Sequence, residues 1–576
     1  MTIVLRNANV FTAVVDGAAA QAIAYDRGRI VYVGEDDPRK WEEVAGDDAQ
    51  VVDLFGKTVI PGFVDSHVHP AMVAMSSWHI KVPLFDRAED LLVHIKDYAE
   101  KHPKEESPFL YFEYYPTKMF GKDGPRKETL DAAISDRPCL CQDFGDHMHW
   151  VNSKMLELME VDAATPDPVP GIEIFVRDKD GNPTGWIKEM AWLYFADKMY
   201  EKIGWRPPED IDEEMLLPVL DFFTRNGVTA LFDAKIESEK QLHTLKTLDE
   251  KGGLRLYYNA SVRFWRLEDL PEKIRVLKDY REKYEAGHIK IQAMKTFLDG
   301  TNESGNSALL APHVCDPAGA NFGEISMGGE ELKQCFLLCN EEGVDVHIHM
   351  VGDRAFRAGC DAVEAAKLEA AGAGAPWRIQ VVFAHCELVD PGDMGRPAGL
   401  GIGINSTCHW AGGYFGEEAK NFITEEKWDS MYQFNPMISS GAQVAFSSDV
   451  ITYYELERAN PFFGMQVAAT RIDPEFPMEP GRYENSMRPL GGARVPVRTL
   501  LEGYTRVAAE QLRLGETMGS LKAGKLANLC VVSGDPLKTD PLKLKDIQIE
   551  AVIFEGALVH GRRSLRRSIL RKYRFR

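Results

Sequence analysis

Between Val228 and Asp449 the chain repeats one pattern seven times: a short apolar run with strand character, usually preceded by a stretch of helical periodicity and ending in polar residues. The runs are VTALFDA (228–234), LRLYYNASV (254–262), IKIQAMKTFLDG (289–300), VDVHIHM (344–350), IQVVFAHC (379–386), GIGINSTC (401–408) and QVAFSSD (443–449). An earlier run, VIPGFVDSHVHP (59–70), brings the number to eight. Eight strands alternating with helices predict an α/β fold, a (β/α)8 TIM barrel whose chemistry sits at the C-terminal strand ends.

The polar residues at those ends form a set. In VIPGFVDSHVHP, residues two apart on an extended chain point the same way, so His67 and His69 can reach one point just beyond the strand. Strand four carries Lys295, strand five His349, strand six His385 and strand eight Asp449. Six potential ligands from five strands are thus expected at one mouth, with imidazole and carboxylate groups suited to a divalent metal.

The chain has 576 residues, more than one core accommodates. Its β-rich ends, 1–58 and 512–561, are expected to pair as a composite β-sandwich, with the barrel, 59–511, inserted between them. The hairpin signal Asp26-Arg27-Gly28 lies in the first of these ends. From about 75 to 220 no regular strand–helix alternation is visible, and this stretch reads as a subdomain laid over the barrel mouth. Within it Leu91, Leu92, Ile95 and Tyr98 share one face of a helix predicted over Ala88–Ala99, with Asp86 as N-cap.

With 67 basic against 88 acidic residues, the formal charge is -21, which repels phosphate backbones and argues against nucleic acid. The basic tail 562–576, RRSLRRSILRKYRFR, reads as a solvated arm or one resting on an acidic neighbouring subunit of a homodimer. Nine scattered cysteines fit a reducing compartment, and the close pairs Cys139/Cys141 and Cys335/Cys339 read as buried thiols. The N-terminus lacks signal-peptide character, and no apolar run approaches the roughly 18 residues of a membrane span, so a cytoplasmic protein without membrane contact is expected.

VIPGFVDSHVHP, KTFLDGT, VHIHMVGDRA, FAHCELVDP, SSD, DHMHWVNS (146–153), GNPTGWIKE (181–189) and GSLKAGKLANLCVVSGDP together resemble the amidohydrolase superfamily, in particular its YtcJ-like branch, which includes N-substituted formamide deformylases. The resemblance implies that His67 and His69 hold the more buried metal and His349 and His385 the more exposed one. It further implies that a carboxylated Lys295 bridges both and that Asp449 binds metal and the attacking water. The expected cofactor is two zinc ions per chain, with manganese, iron or cobalt fitting similar sites. The residues support these roles separately. A lysine in an apolar strand has its pKa lowered by desolvation, and a neutral amine can take up carbon dioxide; the alternative is an ion pair with Asp299. Asp449 suits a general base, the alternative being a helix N-cap. His347 faces the same side as His349, but the family pattern places the ligand immediately before MVGDRA, so His347 is left out.

The resemblance also places His147 near the substrate. Trp78, Trp150, His409, Trp410 and Phe415 lie in or near loops expected at the mouth and point to a small molecule with an apolar or aromatic group. Asp353 and Arg354 are expected to form an ion pair bracing the loop after His349. After Asp449 the chain reads DVITYYELERANP, where the branch usually has a proline-containing turn; this loop is expected to shape the pocket. The implied reaction is hydrolysis of a carbon–nitrogen bond in an amide, N-substituted formamide, cyclic imide or carbamate. A deaminase, an ester or lactone hydrolase, and a non-catalytic binding or assembly protein are the alternatives.

Overall fold

The computed structural model describes residues 2–561 except 16, 18, 47, 84, 86, 144, 146, 209–210, 413–415 and 476–493, and leaves out the side chains at 114, 117, 118 and 418. Asp86, Phe415 and the basic tail therefore lie outside the described residues.

The eight strands are β1 (Phe63–Val68), β2 (Val228–Asp233), β3 (Tyr257–Arg263), β4 (Ile289–Phe297), β5 (Asp345–Met350), β6 (Val381–His385), β7 (Gly403–Thr407) and β8 (Gln443–Ser447). They pair in parallel and in sequence order. The seam between β8 and β1 is joined by single bonds: Ser66 Oγ donates to the Phe446 carbonyl at 3.2 Å, and the Asp449 amide to the His67 carbonyl at 2.9 Å. Helices cover the outside of the barrel. In Gly329–Glu342, for example, Leu332, Cys335, Phe336 and Cys339 recur at helical spacing and are buried, while Gly343, at φ 65°, closes the end. Cys139, Cys141, Cys335 and Cys339 are buried free thiols, as expected.

VIPGFVDSHVHP departs from expectation. It is not one strand but two, broken at Gly62. Thr58–Pro61 pairs antiparallel with Leu529–Val532 in a terminal sheet, whereas Phe63–Val68 is β1. A Cβ on Gly62 would lie 2.3 Å from Thr229 Oγ1, so only glycine lets the run pass so close to β2 where it changes sheets.

The terminal sheets form a sandwich. One has the order Arg29–Gly34, Ala22–Asp26, Ile3–Arg6, Gln50–Asp53; the other Asn9–Val10, Thr58–Pro61, Leu529–Val532, Ile549–Phe554, Ala557–Gly561. Leu5, Ile23 and Val52 from the first share a core with Val59, Leu529 and Ile553 from the second. The predicted hairpin joins Ala22–Asp26 to Arg29–Gly34, with Arg27 and Gly28 both at positive φ, 46° and 80°, the signature of a two-residue type I′ turn.

The irregular stretch hides a mixed six-stranded sheet, ordered Ile174–Arg177, Pro183–Lys188, Met148–Val151, Cys139–Asp143, Leu110–Tyr115, Ile80–Lys81. The helix predicted within it spans Ala88–Lys101 and buries Leu91 and Ile95; Arg87 occupies the N-cap without a side-chain bond. Among the described residues no helix is long and apolar enough to cross a membrane.

Candidate metal centre

His67 is fixed from below. Its Nδ1 lies 2.9 Å from His347 Nε2, whose ring stacks on Phe232 at 4.8 Å between centroids. This turns His67 Nε2 towards the mouth, 3.3 Å from Lys295 Nζ and 3.4 Å from Asp449 Oδ1. His69 Nε2 is also 3.4 Å from Asp449 Oδ1, and His385 Nδ1 is 3.4 Å from Asp449 Oδ2. One carboxylate thus faces imidazoles from two strands. Two of the groups are held in strained backbone: His385 has φ 73° and Asp449 φ 50°, conformations that cost side-chain-bearing residues on the order of 1–3 kcal/mol each. Asp449 is steadied by its neighbour, since the Ser448 amide and hydroxyl both donate to the buried Asp65 carboxylate, at 3.1 and 2.5 Å.

The electrostatics keep three of the imidazoles neutral. Burial, reinforced by the nearby Lys295 charge, lowers the pKa of His67 and His349 well below the usual imidazole value; burial and then His349 do the same to His385. Burial pushes Lys295 down to about 7, against the pull of Asp449. The ion pair with Asp299 does not form. Asp299 instead accepts the backbone amides of Ala308, Val351 and Gly352 at 2.8–2.9 Å, bracing the loop after His349. Burial raises its carboxyl to about 7.

This donor set fits a divalent cation. The 3.4 Å separations are long for hydrogen bonds. They match the roughly 3.3–3.4 Å between ligand atoms on a tetrahedron with centre-to-corner distances of about 2.0–2.1 Å. His67, His69 and Asp449 offer ligand atoms that all lie within 4.8 Å of one another. His69 Nδ1 is buried with no hydrogen-bond partner. His349 and His385, with ring centroids 4.5 Å apart, add further nitrogen donors beside them.

His147 lines the same cavity, 6.3 Å from His349 between centroids, with its Nδ1 2.9 Å from Glu189. Burial alone would lower its pKa, but Glu189, then Asp143 and Asp449, raise it to about 10, so the ring is cationic at neutral pH. Trp410 also lines the cavity and stacks on His385 at 5.3 Å. Ile451, from the departing loop after Asp449, forms part of the wall. Three expectations fail. Trp150 is fully buried, packing against Phe120 with its indole N–H donating to the Arg126 carbonyl at 2.9 Å, because it takes the core-facing position of its strand. His409 is buried against Phe463 and does not line the cavity. Asp353 and Arg354 do not pair: Asp353 accepts from Lys427 and the Leu310 amide, and Arg354 donates to the Phe322 and Gly323 carbonyls. Trp78 lines an adjoining cavity instead. His347, set aside as a ligand, serves as the partner of His67 Nδ1, whereas the sequence assigned no role to Asp65, which accepts from Ser448, or to Glu189, which pairs with His147.

A nearly closed parallel barrel with imidazoles and a carboxylate at its C-terminal mouth suits a hydrolase of the metal-assisted class. The particular family follows from comparison: residues 50–560 match the model of the Amidohydrolase family, and the chain belongs to it as a hydrolytic enzyme. It is 29% identical over 455 residues to the exoenzymes regulatory protein AepA of Pectobacterium carotovorum, covering 78% of this chain and 94% of that one. It is 26% identical over 555 residues to an N-substituted formamide deformylase of Arthrobacter pascens, covering 93% and 94%. The structure of an uncharacterized metal-dependent hydrolase from Pyrococcus horikoshii shares the fold, with a TM-score of 0.65 at 22% identity, covering 94% of this chain and 99% of that one.

Proposed function

We propose that this enzyme hydrolyses a carbon–nitrogen bond other than a peptide bond, in an amide, N-substituted formamide, cyclic imide or carbamate, using two divalent ions, by preference zinc. The observation that carries this reading is the Asp449 carboxylate standing 3.4 Å from His67, His69 and His385 together, beside a lysine whose pKa burial has brought to about 7. His67 and His69 would hold one ion, and His349 and His385 the other. The neutral Lys295 amine can add carbon dioxide, releasing a proton and becoming a carbamate whose two oxygens suit a bridge. A bound divalent cation would supply polarisation of the carbonyl oxygen and a water acidic enough to lose its proton near neutrality.

The chain's own groups do the rest. Asp449 accepts the water proton and delivers it to the leaving nitrogen as the carbon–nitrogen bond breaks and a carbon–oxygen bond forms. His147, kept protonated by Glu189, offers an N–H to the developing oxyanion. Similarity to a formamide deformylase over nearly the whole chain supports the choice of bond. The test is a screen of amides, formamides, imides, carbamates, esters and amino-heterocycles with metal-loaded enzyme. Turnover confined to esters or to deamination would overturn the bond assignment, and a folded protein that binds no metal would overturn the mechanism.

A further inference from the structure

The metal centre has room for a reacting group and little more. Its cavity measures about 80 Å³, against the roughly 150 Å³ that accepts one benzene ring. Beside it lies a second cavity of about 420 Å³. Met72, Met190 and Ile451 line both, so the chambers share a wall, two of whose side chains are unbranched thioethers that adjust readily to a ligand.

The second chamber has a distinct chemistry. Trp78, Tyr111, Trp192 and Tyr200 give it aromatic sides, with Tyr111 5.6 Å from Trp78 and 5.9 Å from Trp192 between centroids. Three carboxylates line it, Glu113, Asp197 and Glu237, and no lysine or arginine does among the described residues. Two of the three have cations outside the lining: Glu237 meets Lys235 at 2.9 Å and Asp197 meets Arg206 at 2.5 Å. Glu113 differs. It is 2% exposed; one oxygen is bound to His79 Nδ1, and the other, Oε2, is buried with no hydrogen-bond partner. A buried acceptor left unsatisfied costs about 1–3 kcal/mol, more if charged, and such groups in native structures ordinarily await a partner.

We infer that this cavity seats the remote end of the substrate, an aromatic ring carrying an ammonium group drawn to the Glu113 carboxylate in its wall. Aromatic faces and an acceptor oxygen in a chamber without lysine or arginine select such a group over a carboxylate of the same size, and the ring supplies the burial that the metal cavity has no space for. The assignment deepens the hydrolase reading and rests on it for the word substrate, but the site's chemistry is tested without turnover.

The probes are phenethylamine, 2-phenylethanol and 3-phenylpropionate, which share a ring and differ in charge. Their binding to the full-length, metal-loaded protein at neutral pH is followed by tryptophan fluorescence, since Trp78 and Trp192 line the cavity. Phenethylamine is expected to bind at least tenfold more tightly than either counterpart, and Glu113→Gln to weaken it at least tenfold with the near-ultraviolet circular dichroism preserved. Because Glu113 is buried, a second variant, Leu193→Lys at the 46% exposed rim, places a repelling cation there and is expected to weaken phenethylamine alone. Equal binding of the three probes, or phenethylamine binding that both variants leave unchanged, would overturn the assignment. An Asp449→Asn enzyme that has lost turnover and still discriminates among the probes upholds the subsite independently of the reaction.

Discussion

Replacing His347 with leucine isolates a residue that touches no substrate and lies one hydrogen bond from a proposed ligand. His67 can present Nε2 to a metal only if Nδ1 carries the proton, and that proton is donated to His347 Nε2 at 2.9 Å. Leucine fills comparable space beside Phe232 and offers no acceptor. The Nδ1–H is then buried without a partner, at a cost of about 1–3 kcal/mol. In the apo protein the ring can escape part of that cost by changing tautomer, and a metal ion forbids the escape. The penalty therefore falls chiefly on the metal-bound state, where outer partners of metal-binding histidines are typically worth about 10–100-fold in affinity, or roughly 1.4–2.7 kcal/mol. Competition against a chromogenic chelator, with metal counted by mass spectrometry, should show His347→Leu weakened within that range, and His347→Gln, which keeps an acceptor, weakened less. The two variants binding metal within twofold of wild type, with wild-type circular dichroism, would refute the reasoning.

Asp449→Asn should reduce turnover by about 10²–10⁴-fold while retaining most of the bound metal, measured by steady-state kinetics beside metal analysis; full activity would remove Asp449 from the proton path. Lys295→Ala should lower metal content, with partial recovery of metal and activity on adding acetate or formate; unchanged metal would argue against a bridging carbamate. Lys188 is buried, donates to the Ser304 carbonyl and has its pKa lowered to about 8 by burial. The unfolded group titrates near 10.5, so the unfolded chain binds the extra proton between about 8 and 10.5; stability from this group is present above that window and lost as pH falls through it. Lys188→Met should therefore change Tm more favourably at pH 7 than at pH 10, and an equal shift at both would show that the buried ammonium carries no penalty.

The barrel was legible because its constraint is periodic: a strand buried on both faces must be apolar along its length, and each ends where backbone turns towards the mouth. His67, His69, Lys295, His349, His385 and Asp449 could be picked out because they interrupt that apolarity at its ends. What stayed hidden lacked a period. The strands of the six-stranded sheet are short, and its pairing mixes directions, so loops such as ATPDPVPGIEI dominate what is read. Trp150 illustrates a second limit, since an aromatic on a two-residue alternation faces either core or cavity and composition does not say which. Asp299 and Asp353 found partners far along the chain, which local spacing cannot supply.

The break at Gly62 bears on the order in which the molecule is made. Thr58–Pro61 finds its antiparallel neighbour, Leu529–Val532, only after about 470 further residues have been synthesised. At about 5–20 residues per second the wait is roughly half a minute to a minute and a half. Through that interval the histidine-bearing strand hangs from a segment with one ladder partner missing. Pairing with β2 can seat the histidine-bearing strand long before that interval ends, so the half of the run that carries the ligands is anchored in the barrel well ahead of the half that ties it to the terminal sheet.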